Sequence, residues 1–501
     1  MTRAALSRTF LVVLASIAFI GAVLLVNGSI PRAGSPGSDL GRGGPKVADA
    51  NPDAQEQGQQ VLERQAAYRA ALAAGTAGRA APITGAPATG WFGEKIVDPT
   101  VDDWEPAIAT DPRSNSGFVY ALTTRYGIPE PCKGDCPSPV IELIISPDNG
   151  ATWSTAKPLC ACQGKGQFDP IIEVVPNTGD VYALFMIEFN VWFTKSIDHG
   201  QTWSPAVPTY GNVAWNDKPV IAMSNDGKDV YVSFNGPTGG DPWVAQSHDF
   251  GATWTQTKVI DTKRYFYAFG ADVANDGTVY LSESGVTYTA SGKGGDVQGP
   301  IEHHVLVSRD TGRTWQDHLV ATVQPGIPCL AAGCTTDFYV GHTALTVDKA
   351  ANGGDAVVLY DGATTDGGLQ TIYARHSSNH GDTWSTAVPI SASGESSTAP
   401  AITSTGSGDV RAWYYQTSGG GNVDAWNVWY RRSTNGGGSW SAPLRISDAV
   451  SGAVYKTAAG FAEVYGDYGE IAITSAGKTI AIWGEGISYT GPGGVWFNRQ
   501  Q

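Results

Sequence analysis

From residue 91 onward the apolar residues fall in short, strand-length runs rich in β-branched and aromatic side chains, bounded by Gly, Pro, Asn and Asp, and no stretch keeps helical spacing. The runs come in pairs: EPAIATDP with GFVYAL from Glu105, DPIIEVV with DVYALF from Asp169, KPVIAMS with DVYVSF from Lys218, and ADVANDG with TVYLSE from Ala271. Three more pairs follow, HTALTVD with AVVLYD from His342, APAITST with DVRAWYY from Ala399, and EIAITSAG with TIAIWGE from Glu470, so the pair occurs seven times. A third run follows each of the first six pairs, as at residues 140–145, 191–194 and 304–307, and then a turn and a short fourth run, as at 207–209 and 258–260. Each unit is too small to bury its own apolar faces, so stacking of the units must do so. The pattern predicts an all-β, seven-bladed β-propeller over residues 91–501.

The pattern before residue 91 is different. Arg3 and Arg8 precede an unbroken apolar run over residues 10–26, which reads as an export signal. Its length suits either a retained single-pass anchor with the bulk of the chain outside or a cleaved signal, so residues 1–27 are assigned to a signal peptide or signal anchor. Residues 28–90 are a spacer: the stretch 28–53 is rich in Gly, Pro, Ser and Asp, and 54–74 can form a short helix with Val61, Leu62, Tyr68 and Leu72 as a thin apolar stripe.

One motif recurs between the third and fourth runs. Ser-x-Asp/Asn-x-Gly-x-Thr/Ser-Trp occurs six times, from Ser146, Ser196, Ser247, Ser308, Ser377 and Ser433, with Asn379 and Asn435 replacing Asp in the last two. The chemistry is that of a turn: the Asp or Asn accepts from turn amides, Gly takes the positive-φ position, and Trp buries its ring. These repeats resemble the Asp-box (BNR) repeats of the sialidase superfamily, and the resemblance covers about four fifths of the chain. It implies a propeller, and a carbohydrate-active one, since Asp-box propellers include sialidases, other glycoside hydrolases and polysaccharide lyases; non-catalytic receptors and assembly factors share the fold. Sialidases carry an Arg-Ile-Pro motif on the first inner strand, whereas this chain has Trp104-Glu105-Pro106-Ala107, placing an acid where an anionic sugar would meet a base. Six boxes against seven pairs imply that the last blade takes its outer strand from residues 91–97, which closes the ring and removes exposed edges.

Charge narrows the partners. The net charge is −15, and residues 91–501 carry 24 Lys and Arg against 42 Asp and Glu, a surface that repels phosphate backbones and excludes nucleic acid. A glycan or polysaccharide is the expected partner, the membrane is met only through the N-terminal segment, and the expected state is a monomer. Six cysteines in an exported chain read as disulfides: Cys329 with Cys334, and two crossed bridges between Cys132/Cys136 and Cys160/Cys162, with a four-cysteine zinc site as the other reading of those four.

Alignment of the inner strands places Glu105, Asp169, Lys218, Ala268, His342, Ala399 and Tyr468 around one mouth of the central channel, with Trp104, Phe168, Asp217, Tyr267 and Asp467 just outside them. The ends of the second strands add Arg125, Glu188, Asn235, Glu283, Asp361, Gln416 and Glu485, and Arg264 lies near the same face. Taken singly, each acid is a solvated rim residue or a strand cap; taken together they form a rim of carboxylates with aromatic surfaces for stacking on sugar rings. Glu105, Asp169, Asp217 and Glu283 are the candidates for general acid and for base or nucleophile in glycoside cleavage. A lyase would instead use Tyr468 or His342 as base with Lys218 or Arg125 as neutralising charge. No cofactor is required, and the same acids also suit Ca²⁺. A propeller that only binds a glycan or a protein with this face is the alternative reading.

Overall fold

A computed structural model describes residues 85–98, 101–126, 139–160, 165–213, 215–236, 240–290, 294–327, 341–349, 355–422, 425–453, 455, 468–486 and 493–501, together with Ala70 and Ala74. The apolar segment 10–26, the linker, Asp467 and five of the six cysteines, Cys132, Cys136, Cys162, Cys329 and Cys334, lie outside these residues. Cys160 is disulfide-bonded, and the pairings expected from the sequence fall outside the described residues.

Every element of the described residues is a strand, and seven four-stranded antiparallel sheets form the blades of a propeller. Their inner strands are Asp102–Thr110, Gln167–Val174, Asp217–Met223, Tyr265–Val273, Thr343–Val347, Ser397–Gly406 and Glu470–Ile473, numbered here as blades one to seven. The seventh blade continues through Thr479–Gly486 and Gly493–Arg499 to Lys95–Ile96, where Lys95 stands opposite Phe497 and Ile96 opposite Trp496. The two ends of the propeller therefore share one sheet. Blade four carries an additional hairpin, Tyr288–Ala290 with Gly294–Val297, which the repeat pattern does not reveal.

The core lies between blades. Four of the seven second strands begin with Val-Tyr, and Tyr120, Tyr182, Tyr231 and Tyr280 are fully buried at equivalent positions. Each reaches the following blade: the Tyr182 hydroxyl donates to Gly227 O at 3.0 Å, and the Tyr231 ring meets Trp315 edge-on at 6.4 Å. Burying such a ring is worth roughly 2–3 kcal/mol, so the repeated Val-Tyr holds successive blades together.

All six box turns have the same geometry. In the third, Ser247 Oγ donates to Asp249 Oδ1 at 2.7 Å and accepts from Gly251 N at 2.9 Å, while Asp249 takes Thr253 N at 2.9 Å and Thr253 Oγ1 at 2.7 Å. These donors, the Thr253 hydroxyl first, hold the Asp249 carboxyl down at about 2. Two consecutive residues, not the glycine alone, adopt positive φ: Phe250 at 61° and Gly251 at 79°. Only the second requires glycine. A Cβ on Gly251 would stand 2.2 Å from Phe193 of the preceding blade, whereas one on Gly436, in the first of the two positions of the last box, would meet nothing within 4 Å. Gly251→Ala is therefore expected to cost about 2–4 kcal/mol and Gly436→Ala about 1 kcal/mol, measured by urea denaturation. Equal losses would show that the interblade contact contributes nothing.

Candidate active site at one mouth of the channel

The inner strands reach the channel mouth through bulges. In blade one Trp104 pairs with Thr124 and the next pair is Ala107 with Leu122; the same extra residue interrupts Phe168/Ile171, Asp217/Val220 and Thr398/Ala401. The bulged residues Glu105, Asp169, Lys218 and Ala399 have φ of 48°, 47°, 54° and 47°. Proline follows each of them, and having no N–H it removes one donor from the broken ladder, while Asp169 N and Ala399 N donate to Glu105 Oε2 and Asp361 Oδ2. Holding a non-glycine residue left-handed costs about 1 kcal/mol or more, a strain that concentrates where side chains must be aimed.

Asp169, Lys218, Ala268, His342, Ala399 and Tyr468 line one cavity of ≈ 150 Å³. The Lys218 ammonium lies 3.9 Å from Asp169 Oδ1 and 5.0 Å from the centre of the Tyr468 ring. The Tyr468 hydroxyl donates towards Asp169 Oδ1 at 3.5 Å. Burial, then the charges of Asp169, Glu105 and Glu470, push the Tyr468 phenol well above its ordinary range, so it keeps its proton at neutral pH.

His342 is oriented from behind. Its Nδ1 is 3.1 Å from Asp361 Oδ2 and 3.2 Å from Thr398 Oγ1, and its ring packs on Phe269 at 4.9 Å. Asp361 accepts from Gly341 N at 2.9 Å, His342 N at 3.0 Å, Thr398 Oγ1 at 2.7 Å and Ala399 N at 3.2 Å, so it ties blade five to blade six. Burial alone would raise its pKa, but His342, Thr398 and His303 together hold it below the ordinary aspartate value. With Asp361 at Nδ1, Nε2 is the proton-accepting nitrogen of the neutral ring.

Several residues predicted for the rim are elsewhere. Glu105 is buried beside the cavity, where Oε2 accepts from Thr124 Oγ1 at 2.7 Å and Asp169 N at 3.1 Å, linking blades one and two. Asp217 is buried behind Lys218 in the strand and does not line the cavity. Glu283 is buried between blades three and four, takes the Ser233 hydroxyl at 2.5 Å, and is pushed up to about 8 by burial. Glu485 accepts from Trp483 Nε1 at 3.1 Å under the seam of the ring, and Glu188 is an exposed partner of Lys165 at 2.7 Å.

Neither predicted arginine faces the cavity. Arg125 holds Asp103 through Nε at 2.8 Å and Nη2 at 2.9 Å, and Arg264 is bound to Glu302 at 2.6 Å and to Pro300 O at 2.7 Å. The expected stacking platforms Trp104, Phe168 and Tyr267 are buried between blades, because they precede the bulges on the opposite parity; the Tyr267 hydroxyl meets that of Tyr288 at 2.6 Å.

Two further acids lie deeper in the channel. Ile108, Glu173, Ile221, Ala271, Leu345, Ile402 and Ile471, one from each blade, form a waist shared with a wider cavity of ≈ 570 Å³ at the opposite face. Glu173, whose side chain stays open to the channel, is pushed up to about 7 by the enclosing channel walls and by Asp272, against the pull of Lys349. Glu470, which accepts from Ile108 N at 2.5 Å, is raised by burial and by Glu173. The period-two alternation of the inner strands could have placed Glu173, which shares the parity of Ile171. Among the described residues no group of three or more His, Cys, Asp or Glu is arranged to hold a metal ion.

Neither a protein-family model nor a curated protein sequence matches the chain. Among solved structures, it is similar to an ulvan lyase from a new family of polysaccharide lyase, with 11% identity over 82% of this chain and 95% of that one and a TM-score of 0.49. It is also similar to the polysaccharide lyase Uly1, with 9% identity, coverage of 82% and 99% and a TM-score of 0.45. A third likeness is to the intramolecular trans-sialidase from Ruminococcus gnavus, with 11% identity, coverage of 80% and 94% and a TM-score of 0.41. Likenesses of this size assign no family, and the chemistry has to be argued from the channel mouth itself.

Proposed function

We propose that this mouth is the active site of a carbohydrate-active propeller that cleaves an acidic polysaccharide by β-elimination. The observation that carries the reading is the convergence of a protonated phenol, an oriented imidazole and an ammonium on one small cavity, Tyr468, His342 and Lys218. Lys218 would meet the carboxylate of a uronate residue and stabilise the negative charge that grows there as the neighbouring C–H bond breaks. His342 Nε2 takes that proton, the double bond forms between C4 and C5, the C4–O bond breaks, and Tyr468 protonates the departing oxygen. No water is consumed. Hydrolysis by paired carboxylates is less well supported, because Glu105 is engaged between blades and Asp217 and Glu283 do not line the mouth, which leaves Asp169 alone of the expected acids there, with Glu173 and Glu470 deeper at the waist. The apolar run at residues 10–26 supports a place outside the cytoplasm, where such polymers are met.

The test is incubation of the full chain with uronate-containing, neutral and sialylated polysaccharides, following the ultraviolet absorbance of an unsaturated product. Tyr468→Phe and Lys218→Met should each lower the rate by about 10²-fold or more with unchanged far-ultraviolet circular dichroism. New reducing ends without absorbance would mean hydrolysis, and binding without product would mean a recognition propeller; either sinks the elimination reading.

A further inference from the structure

The ring is closed by an N-terminal strap: Lys95–Ile96 is the outermost strand of blade seven, and Trp91 bridges to Gln500. Beneath it lie buried carboxyl groups from three segments. Glu94 belongs to the strap, Asp448 follows the outer strand Leu444–Arg445 of blade six, and Glu485 lies on Thr479–Gly486 of blade seven. All three are buried, at 5%, 3% and 7% exposure. Glu94 N donates to Asp448 Oδ2 at 3.2 Å, whereas Glu94 Oε2 is buried with no hydrogen-bond partner. The strap packs directly on Asp448, since a Cβ on Gly93 would stand 3.3 Å from Asp448 Oδ2. Arg445 is the one positive charge among the groups acting on Glu94, against the two carboxyls of Glu485 and Asp448.

We propose that Glu94, Asp448 and Glu485 form a proton-held latch that fastens the strap to the last two blades and loosens as the pH rises. Three enclosed carboxylates beside one guanidinium cannot all ionise without repulsion, so the closed seam retains protons that open chain would release. The shifts run accordingly. Glu94 is raised by burial and then by Glu485, Glu485 by burial and then by Asp448, and Asp448 by burial, with Arg445 opposing at Glu94 and Asp448. Groups whose folded pKa is raised contribute fully below the ordinary carboxyl range, and that contribution is lost as the pH climbs through the raised values. The latch decides whether blade seven keeps four strands or three, and it is independent of the chemistry at the channel mouth.

The experiment is hydrogen exchange of the full chain, comparing peptides over residues 91–97 with those over blades one to three between about pH 5 and pH 9, after correction for intrinsic exchange. Strap protection in the wild type should fall at least tenfold more than that of the blades. Glu94→Gln, which keeps the shape of the protonated acid, should retain it, and Glu485→Gln should do so in part. Strap protection that tracks the blades, or variants whose curves run parallel to the wild type, would overturn the latch.

Discussion

Asp361→Asn is expected to destabilise the propeller almost as much as Asp361→Ala, by about 3–5 kcal/mol in urea denaturation. The reason is that both carboxylate oxygens are surrounded by donors. Gly341 N and His342 N point at Oδ1, and Thr398 Oγ1, Ala399 N and His342 Nδ1 point at or lie beside Oδ2. An amide in that place must direct its NH₂ at one of the two sets, so it opposes donor to donor where the carboxylate accepted. Because the folded pKa is depressed, the stabilisation is present above the ordinary aspartate range and is lost as the pH falls through the lowered value. The variants should therefore lose part of the acid limb of the wild-type stability profile. A nearly neutral Asp361→Asn would mean that the donors face a single oxygen, and the orientation assigned to His342 would fall with it.

The repeat was legible in the sequence because a propeller writes the same physical solution many times over: Val-Tyr at the start of four second strands, and Ser-Asp/Asn-Gly-Trp at six turns. So was the alignment that brings Asp169, Lys218, His342 and Tyr468 to one mouth, since equivalent positions in a radial array face the same axis. What was not legible was the commitment of individual polar groups. Asp103 and Arg125 are directly opposite across two strands, and Glu105 accepts from the next blade; a one-dimensional pattern counts such residues as rim charge. The bulges matter as much. By inserting one residue each bulge shifts the alternation of the strand beyond it, so that Trp104 falls in step with Ala107 and Phe168 with Ile171, and these two aromatic residues, expected at the surface, go into the core instead.

Arg125→Met is expected to cost about 3–5 kcal/mol, and its partner change distinguishes a structural ion pair from a substrate clamp. Arg125 is 2% exposed and its fork is spent on Asp103, with Asp98 3.5 Å from Nη2. Removing the guanidinium leaves Asp103 enclosed without its counter-charge. It also removes the positive charge that lowers the pKa of Glu142, whose two oxygens have no hydrogen-bond partner and whose pKa burial already pushes up to about 7. Replacing both members, Arg125→Met with Asp103→Leu, removes the uncompensated charge and should recover more than half of the loss in urea denaturation, while Glu142, free to take a proton, limits the recovery. If Arg125 bound a substrate carboxylate, the opposite pattern would hold: the single variant would be stable and would weaken glycan binding, and the second change would restore nothing. The geometry favours the first outcome, because a guanidinium already paired through two nitrogens inside blade one has no fork left to offer, which leaves Lys218 as the charge that an acidic sugar would meet at the mouth.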